Sequence, residues 1–235
     1  MNIKHFAAAA AAVTFGALSG TAQATLLDRG KGLIYDDALN ITWLQDWNYA
    51  KTSGYDADGR MSWEAAVTWA DQLTYGGFSD WRLPTIVDTG TPGCNFSSNG
   101  TDCGYNVQTA SNGTVYSEMA HVYYATLGNK AYCAPGIGYC STSQAGFGFI
   151  NTGLFAAEAD SYWSGTEANG VAAWYFDTGN GSQGFEFKSY EFRAVAVRSG
   201  DVLAVSAVPE PETYALMLAG LAVLTAVAKQ RRRSR

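Results

Sequence analysis

An apolar run close to each end of the chain limits the folded domain to the residues between them. Near the start, a lysine precedes an apolar run from Phe6 to Leu18, and the small residues Thr21-Ala22-Gln23-Ala24 follow. A positive region, an apolar core of this length and a small-x-small site predict a secretory signal peptide over residues 1–24. We therefore expect export, with cleavage between Ala24 and Thr25.

The last segment, residues 204–235, has a different layout. Pro209-Glu210-Pro211 precedes an apolar stretch over 214–228 and a basic tail over 229–235. This stretch is shorter than the roughly 20 residues that a helix needs to cross the hydrocarbon core comfortably, and the basic tail would hold its end on the cytoplasmic side. The prolines keep helix from continuing outward and leave an accessible extended segment. The layout is compatible with a plain membrane anchor or with an address label that is removed before the protein functions.

The body between these segments, residues 25–203, has a length typical of one domain with its own core. Of 15 Lys and Arg, six lie in the terminal segments, which leaves nine; of 21 Asp and Glu, two lie there, which leaves 19. The body therefore carries a net charge of 9 − 19 = −10. This charge disfavours non-specific attraction to nucleic acid, anionic lipid or sulfated polysaccharide.

Four cysteines, all in the body, predict two disulfides in an oxidising compartment. Three pairings are open from the sequence. We favour Cys94 with Cys103 and Cys133 with Cys140, because each pair closes a short loop rich in Gly, Asn and Ser. A zinc site is the alternative use of four cysteines, but neither spacing is the Cys-x2-Cys of a zinc ribbon or knuckle.

Apolar residues at helical spacing predict two helices in the first half of the body. Ser62 is a good N-cap for an amphipathic helix over about 62–74. Ser117 caps a second helix, which Gly128 ends. Between the two helices, the turn-rich stretch 85–115 predicts a long loop held by its disulfide.

Short apolar runs separated by turn residues predict strands. The runs 33–35 and 41–44 predict an early hairpin, and 173–177 and 184–188 predict a second hairpin around Thr-Gly-Asn-Gly-Ser-Gln. The stretch Arg-Ala-Val-Ala-Val-Arg over 193–198 predicts one further strand. Together these patterns predict an α+β domain, with two helices early, an antiparallel sheet in the C-terminal half and long disulfide-stapled loops.

Several segments, in this order along the chain, resemble the Lcl C-terminal domain family over roughly residues 26–200. The most specific are Trp81-Arg82-Leu83-Pro84-Thr85 and Tyr162-Trp163-Ser164-Gly165-Thr166, supported by GLIYDDALNITWLQD, SEMAHVYY and AVAVRSG. The resemblance implies a C-type-lectin-like or formylglycine-generating-enzyme-like fold, in which an Arg-Leu-Pro-Thr segment follows the first helix. One member of the family is an adhesin domain that recognises sulfated glycosaminoglycan, and most members have no assigned activity.

The C-terminal segment resembles the PEP-CTERM sorting signal through Pro209-Glu210-Pro211, the apolar stretch and the terminal arginines. The resemblance implies recognition by an exosortase, a membrane-embedded processing enzyme of Gram-negative bacteria that make extracellular polysaccharide. We expect the protein to cross the inner membrane, to be anchored briefly through this segment, and to reach the cell surface or the extracellular matrix.

A sugar site needs an aromatic face beside fixed hydrogen-bonding groups. Six residues of the strand-rich half provide these types close together in the sequence. The alternative stays open, because tryptophans in such a sheet are commonly core residues and Asn-Gly commonly turns a hairpin. The candidates for binding extracellular polysaccharide are Trp163, Ser164, Glu167, Trp174, Asp177 and Asn180.

Asp56, Asp58 and the turn-forming Gly59 resemble the opening of a calcium loop. The remaining acidic ligands of an EF-hand do not follow, so an isolated turn is the alternative. Calcium is the one cofactor that the sequence suggests.

No catalytic constellation is evident in the body. His121 is its only histidine, and no motif ties a serine or cysteine to it, although a triad can assemble from distant positions. Trp81 and Arg82 are predicted scaffold residues, the first packing on the core and the second bridging to a carboxylate. We expect a non-enzymatic binding module for polysaccharide or another surface component. The alternatives are a structural biofilm-matrix protein without a soluble ligand and a hydrolase that uses His121.

Overall fold

The computed structural model describes residues 25–90, 98–137 and 140–203. The predicted signal peptide, Cys94 and the sorting segment lie outside these residues.

The first sheet contains the strands at the start of the chain and one from the end of the domain. All its neighbours are antiparallel, in the order β1-β2-β3-β12. The predicted early hairpin is confirmed as β2 and β3, and Asn40 in its turn adopts the left-handed backbone region (φ 52°) that asparagine tolerates. The strands are β1 (Leu26–Asp28), β2 (Leu33–Asp36), β3 (Ile41–Leu44) and β12 (Val197–Ser199).

The second sheet has the order β4-β11-β8-β9-β10-β5 and is antiparallel except between β11 and β8. The predicted second hairpin is confirmed as β9 and β10. A small separate hairpin joins β6 to β7. The strands are β4 (Arg60–Met61), β5 (Gly104–Tyr105), β6 (Ala110–Ser111), β7 (Thr114–Val115), β8 (Ser161–Asn169), β9 (Ala172–Asp177), β10 (Ser182–Phe187) and β11 (Phe192–Arg193).

Both predicted helices form behind their predicted caps. The Ser62 hydroxyl accepts a hydrogen bond from the amide of Ala65, and the Ser117 hydroxyl accepts one from Ala120. The second helix is brief and passes directly into a π-helical turn, and a short helix not predicted from the sequence precedes β4. The helices are α1 (Tyr49–Thr52), α2 (Trp63–Gln72) and α3 (Glu118–Ala120), with the π-helical turn over His121–Thr126. The domain is therefore α+β, with more sheet than the sequence predicted.

The prediction of a single strand over 193–198 is wrong, because the stretch contributes to two strands in different sheets. Its first residue belongs to β11 in the second sheet, and Val197–Ser199 forms β12 in the first sheet. Between them, Val195 packs into one core cluster, while Ala194 and Ala196 pack into the other. The chain thus crosses from sheet to sheet through the interior, and small or branched side chains suit this position because both of its sides are buried.

The two larger core clusters are rich in aromatic residues. One contains Trp43, Trp47, Tyr123 and Phe176, and the Trp43 and Trp47 rings stack with centroids 5.5 Å apart. The other lies between α2 and the second sheet and contains, among others, Trp69, Trp81 and Trp163. Most of the tryptophans of the domain therefore stabilise its interior.

The disulfide between Cys133 and Cys140 is confirmed. Cys103 is also disulfide-bonded, and because Cys94 lies outside the described residues, the other predicted pair stays a prediction. The Asn106 side chain donates hydrogen bonds to the carbonyls of Ser98 (2.7 Å) and Cys133 (2.9 Å). This amide holds the two cysteine-bearing loops together.

Asp36, at the end of β2, is a buried carboxyl with an expected effect on stability. Its Oδ1 accepts hydrogen bonds from the amides of Ala38 and Leu39, but its Oδ2 has no partner within residues 25–90, 98–137 and 140–203. Burial raises the pKa of Asp36 to about 6. The folded state therefore favours the protonated form. The resulting stability cost is absent below about pH 4, grows as the pH rises towards 6 and is complete above it.

We expect Asp36→Asn to remove this cost, roughly 2–3 kcal/mol of unfolding free energy at neutral pH relative to pH 4. Urea unfolding between pH 4 and pH 8 measures it. Asp71→Asn, at an exposed carboxyl on α2, is the control. It should leave the dependence of the unfolding free energy on pH as it is in the wild type. If the unfolding free energies of the wild type and of Asp36→Asn depend on pH in the same way, ionisation of Asp36 does not destabilise the fold.

Candidate functional site

The two most specific sequence motifs lie side by side in the fold. The Gly165 amide donates to the Pro84 carbonyl (2.8 Å), and the Thr166 hydroxyl both donates to the carbonyl and accepts from the amide of Ile86. On its other side, Arg82 exchanges two backbone hydrogen bonds of 2.8 Å with Val197 of β12. The Arg-Leu-Pro-Thr segment therefore connects the two sheets.

Arg82 joins this connection to α3. Its guanidinium donates two hydrogen bonds of 2.7 Å to the Glu118 carboxylate, which also accepts one of 2.7 Å from the Thr85 amide. Trp81 is buried, and its indole nitrogen donates to the Phe78 carbonyl. Every one of these contacts is internal, and they favour the scaffold role predicted for both residues.

A cavity of about 180 Å³ lies between this segment and α2. Sites for organic ligands usually measure 300–1,000 Å³, so this one is too small for a sugar chain. It is lined by Val67, Asp71, Trp81, Arg82, Leu83, Thr85 and Gly165.

Three of the six predicted sugar-site residues belong to the core. Trp163 is fully buried, donates its indole hydrogen to the Met61 carbonyl (3.0 Å) and packs on Phe192 with ring centroids 4.6 Å apart. Ser164 and Trp174 are also buried. A sugar ring cannot stack on a buried indole or reach a buried hydroxyl. The sugar-facing roles predicted for these three residues are therefore incompatible with their burial.

Two more of the six build the β9–β10 turn. The Asp177 carboxylate accepts hydrogen bonds from the Gly179 amide (2.7 Å) and the Asn180 side chain (3.0 Å), and the side-chain Oδ1 of Asn180 accepts from the Ser182 amide (2.7 Å). Burial raises the pKa of Asp177. These contacts show that Asp177 and Asn180 shape the turn of the β9–β10 hairpin, which is the alternative to a sugar-binding role.

The sixth residue, Glu167, is exposed and lies at the other end of the sheet. It pairs with Ala173, four residues along β9 from Asp177, a distance of about 13 Å in a strand. The six residues therefore do not converge on one surface.

Four apolar side chains that are not among the predicted site residues are exposed near this end of the sheet. We call Val171, Phe185, Phe187 and Tyr190 the aromatic patch; their exposed fractions lie between 39% and 63%. The Phe187 and Tyr190 rings are nearly parallel, 19° apart, with centroids separated by 6.4 Å. Two adjoining depressions, of about 240 and 470 Å³, share Val171 and Phe187.

A sequence signal for this patch exists. Phe185 and Phe187 alternate in β10 and therefore share one face of the sheet, while Val171 and Tyr190 lie in turns, where large apolar residues are unusual. Turns lie mostly at the protein surface, so apolar residues in turns combined with an alternating aromatic pair indicate an exposed surface.

Polar contacts hold the backbone of the patch in place. The Lys188 ammonium lies 3.1 Å from the Glu167 carboxylate and 4.6 Å from the Trp63 ring centroid. The Lys188 amide donates to the Val171 carbonyl, and its carbonyl accepts from the Trp63 amide. The patch therefore rests on a preorganised support that includes the start of α2.

Asp56 and Asp58, the calcium candidates, build a turn before β4. Asp56 accepts from the amides of Asp58 (3.0 Å) and Gly59 (2.8 Å), and Asp58 accepts from the Arg60 amide (2.9 Å). That last bond, together with the Arg60 and Arg193 charges, lowers the pKa of Asp58. Within residues 25–90, 98–137 and 140–203, no group of three His, Cys, Asp or Glu side chains could hold a metal ion. Calcium at this turn stays a prediction.

His121 opens the π-helical turn and is half-buried. Burial lowers its pKa, which favours the neutral ring. Neither ring nitrogen has a hydrogen-bond partner in the part of the chain that the structure describes.

Comparison with known proteins gives two matches. A family model described as the Lcl C-terminal domain matches residues 32–198, and one described as the PEP-CTERM protein-sorting motif matches residues 207–233. No curated protein and no solved structure matches the chain significantly. In the described segments, no helix has the length and apolar character that crossing a membrane requires.

Proposed function

Because the chain belongs to the Lcl C-terminal domain family, we propose that its domain is a non-enzymatic module that binds extracellular polysaccharide through the aromatic patch. The sorting motif makes the chain an exported, exosortase-targeted protein of the cell envelope or surface of Gram-negative bacteria. Residence in the extracellular matrix, and brief anchoring through residues 214–228 before processing, are parts of the proposal.

The observation that carries the proposal is the exposed aromatic patch on its preorganised support. Aromatic rings bind the apolar face of a sugar, and nearby polar groups bind its hydroxyls. The nearby polar group is Asn169, which lines the same depression as Val171 and Phe187. Its side chain accepts hydrogen bonds from the Val171 and Ala172 amides, which shapes the adjoining turn.

Charge supports an uncharged sugar rather than a sulfated one. Among residues 25–90, 98–137 and 140–203, six of the nine lysines and arginines form ion pairs with carboxylates. The others, Lys31, Lys51 and Lys130, are separated along the chain: Lys31 precedes β2, Lys51 lies in α1 and Lys130 follows the π-helical turn. A sulfated polymer needs clustered cations, so this arrangement favours neutral polysaccharide.

The finer fold assignment is also proposed. A C-type-lectin-like or formylglycine-generating-enzyme-like domain is supported by the α+β content, by the Arg-Leu-Pro-Thr segment after α2 and by the disulfide-closed loop between Cys133 and Cys140.

A glycan array followed by isothermal titration of the mature protein tests the function, with neutral, amino-sugar, uronic-acid and sulfated polysaccharides and with and without calcium. We expect binding to neutral glycans. A calcium requirement would support the site at Asp56 and Asp58, whereas the absence of binding to every glycan would overturn the ligand assignment.

The double variant Phe187→Ala/Tyr190→Ala should weaken glycan binding about tenfold or more, because it removes both ring faces. Its melting temperature should stay close to that of the wild type, since both side chains are largely exposed. The matched control is Ile150→Ala, at an apolar side chain 71% exposed outside the patch, which should leave binding unchanged. Equal affinity in all three proteins would place the ligand elsewhere.

A structural matrix role is the second candidate, and the edge of β10 favours it. Only Ser182 and Gln183 of this strand pair with β5, so within the described residues Gly184 to Phe187 have no strand on that side. Such an edge can pair with another chain. Sedimentation of the mature protein at high concentration tests this role, which predicts self-association without any soluble ligand.

A further inference from the structure

The backbone nitrogen of Thr25 lies against a carboxylate. It donates a hydrogen bond of 2.7 Å to Oδ1 of Asp37, and the Asp37 amide donates back to the Thr25 carbonyl (3.3 Å). The next residue, Leu26, begins β1 and pairs with Asp36. Thr25 is thus joined to the β2–β3 turn by a short ring of hydrogen bonds.

We propose that hydrolysis of the Ala24–Thr25 bond by a signal peptidase creates an α-ammonium group that forms an ion pair with Asp37 and fastens β1 to the sheet. One water molecule is added across the amide. The signal peptide leaves with a carboxylate at Ala24, and the mature chain begins with the Thr25 amine, which takes up a proton at neutral pH.

The change at Thr25 is a gain of charge at an existing contact. Before cleavage, the donor is a neutral peptide N–H; afterwards, it is an ammonium, and charge-assisted hydrogen bonds are roughly twice as strong as neutral ones. The turn also carries a second carboxylate, since Asp36 directly precedes Asp37. An ammonium group there offsets the repulsion between them.

The position of the cleaved bond matters because β1 is only three residues long and lies at the edge of its sheet. Cleavage one residue later would remove Thr25, with both of its hydrogen bonds to Asp37. Cleavage earlier would leave a neutral amide at the contact. Only cleavage before Thr25 places the positive charge beside the Asp37 carboxylate.

The first test is the N-terminal sequence of the mature protein, which we expect to begin Thr-Leu-Leu. The second compares melting temperatures of three forms: the mature protein, the same protein acetylated at its α-amine, and a form extended by Gln23-Ala24. The last two should melt about 1–3 °C lower, as expected for an exposed ion pair in a domain of this size.

The variant Asp37→Asn is the control, since it keeps an acceptor but removes the negative charge. In this background the three forms should melt at the same temperature. A different mature N-terminus, or the same melting difference in the Asp37→Asn background, would overturn the proposal. Neither result depends on glycan binding.

Discussion

Arg82→Met is expected to lower the free energy of unfolding by about 3–5 kcal/mol. The substitution keeps the aliphatic stem but leaves the Glu118 carboxylate, whose side chain is only 9% exposed, without its cation. That carboxylate would keep only the Thr85 amide as a hydrogen-bond donor among the contacts described. A buried charge that loses its partner costs far more than an exposed one. Urea unfolding of the variant measures this loss.

Asp80→Asn is the matched control for this prediction. It breaks the ion pair of Asp80 with Arg198, in which the carboxylate is 57% exposed, and should cost no more than about 1 kcal/mol. The double variant Arg82→Met/Glu118→Leu should recover part of the loss, because it removes both charges together. If Arg82→Met costs no more than Asp80→Asn, the contact between Arg82 and Glu118 does not stabilise the fold.

Trp163→Ala should also destabilise the domain strongly, by about 3–5 kcal/mol, the usual cost of truncating a buried aromatic side chain. It creates a cavity between α2 and the second sheet, removes the packing on Phe192 and leaves the Met61 carbonyl without its indole donor. Thermal and urea unfolding measure the effect.

The same variant separates the core role of Trp163 from the sugar-facing role that the sequence suggested. The fraction of Trp163→Ala that remains folded should bind glycan like the wild type, because the aromatic patch is intact. Tyr55→Ala, at an exposed ring, is the control and should change stability by less than about 1 kcal/mol. A stable Trp163→Ala protein that has lost binding would restore the tryptophan as a ligand contact.

The elements that the sequence predicted correctly have local causes. The hydroxyls of Ser62 and Ser117 cap the helices that immediately follow them, and β9 and β10 pair across a turn of a few residues. The bond between Cys133 and Cys140 likewise closes a loop with a separation of 7 residues. Each of these signals is complete within a short window of the chain, so no knowledge of distant partners is needed.

The errors concern features that distant partners decide. A tryptophan on a strand can line the core or face solvent, and Trp163 is buried because α2 and β11 cover it. The composition of the stretch 193–198 suits a single strand as well as two strands in different sheets. Its division follows from its distant partners, because Arg193 pairs with β8 and Val197 pairs with β3. The aromatic patch is only partly of this kind: Val171 and Tyr190 in turns are a local signal, but the exposure of Phe187 depends on which elements pack against its face of the sheet.

The crossing of residues 194–196 between the sheets has a consequence for secretion. Val197 pairs with Trp43 from the opposite end of the domain, and β11 and β12 each complete a different sheet. Pairing across such a long separation is slow and requires both segments to be present. Neither sheet is complete until residues 192–199, the last strands of the domain, have been synthesised. We therefore expect the domain to reach its native fold only after β12 is available, which would leave the chain open to export in an unfolded form until its sorting segment is about to follow.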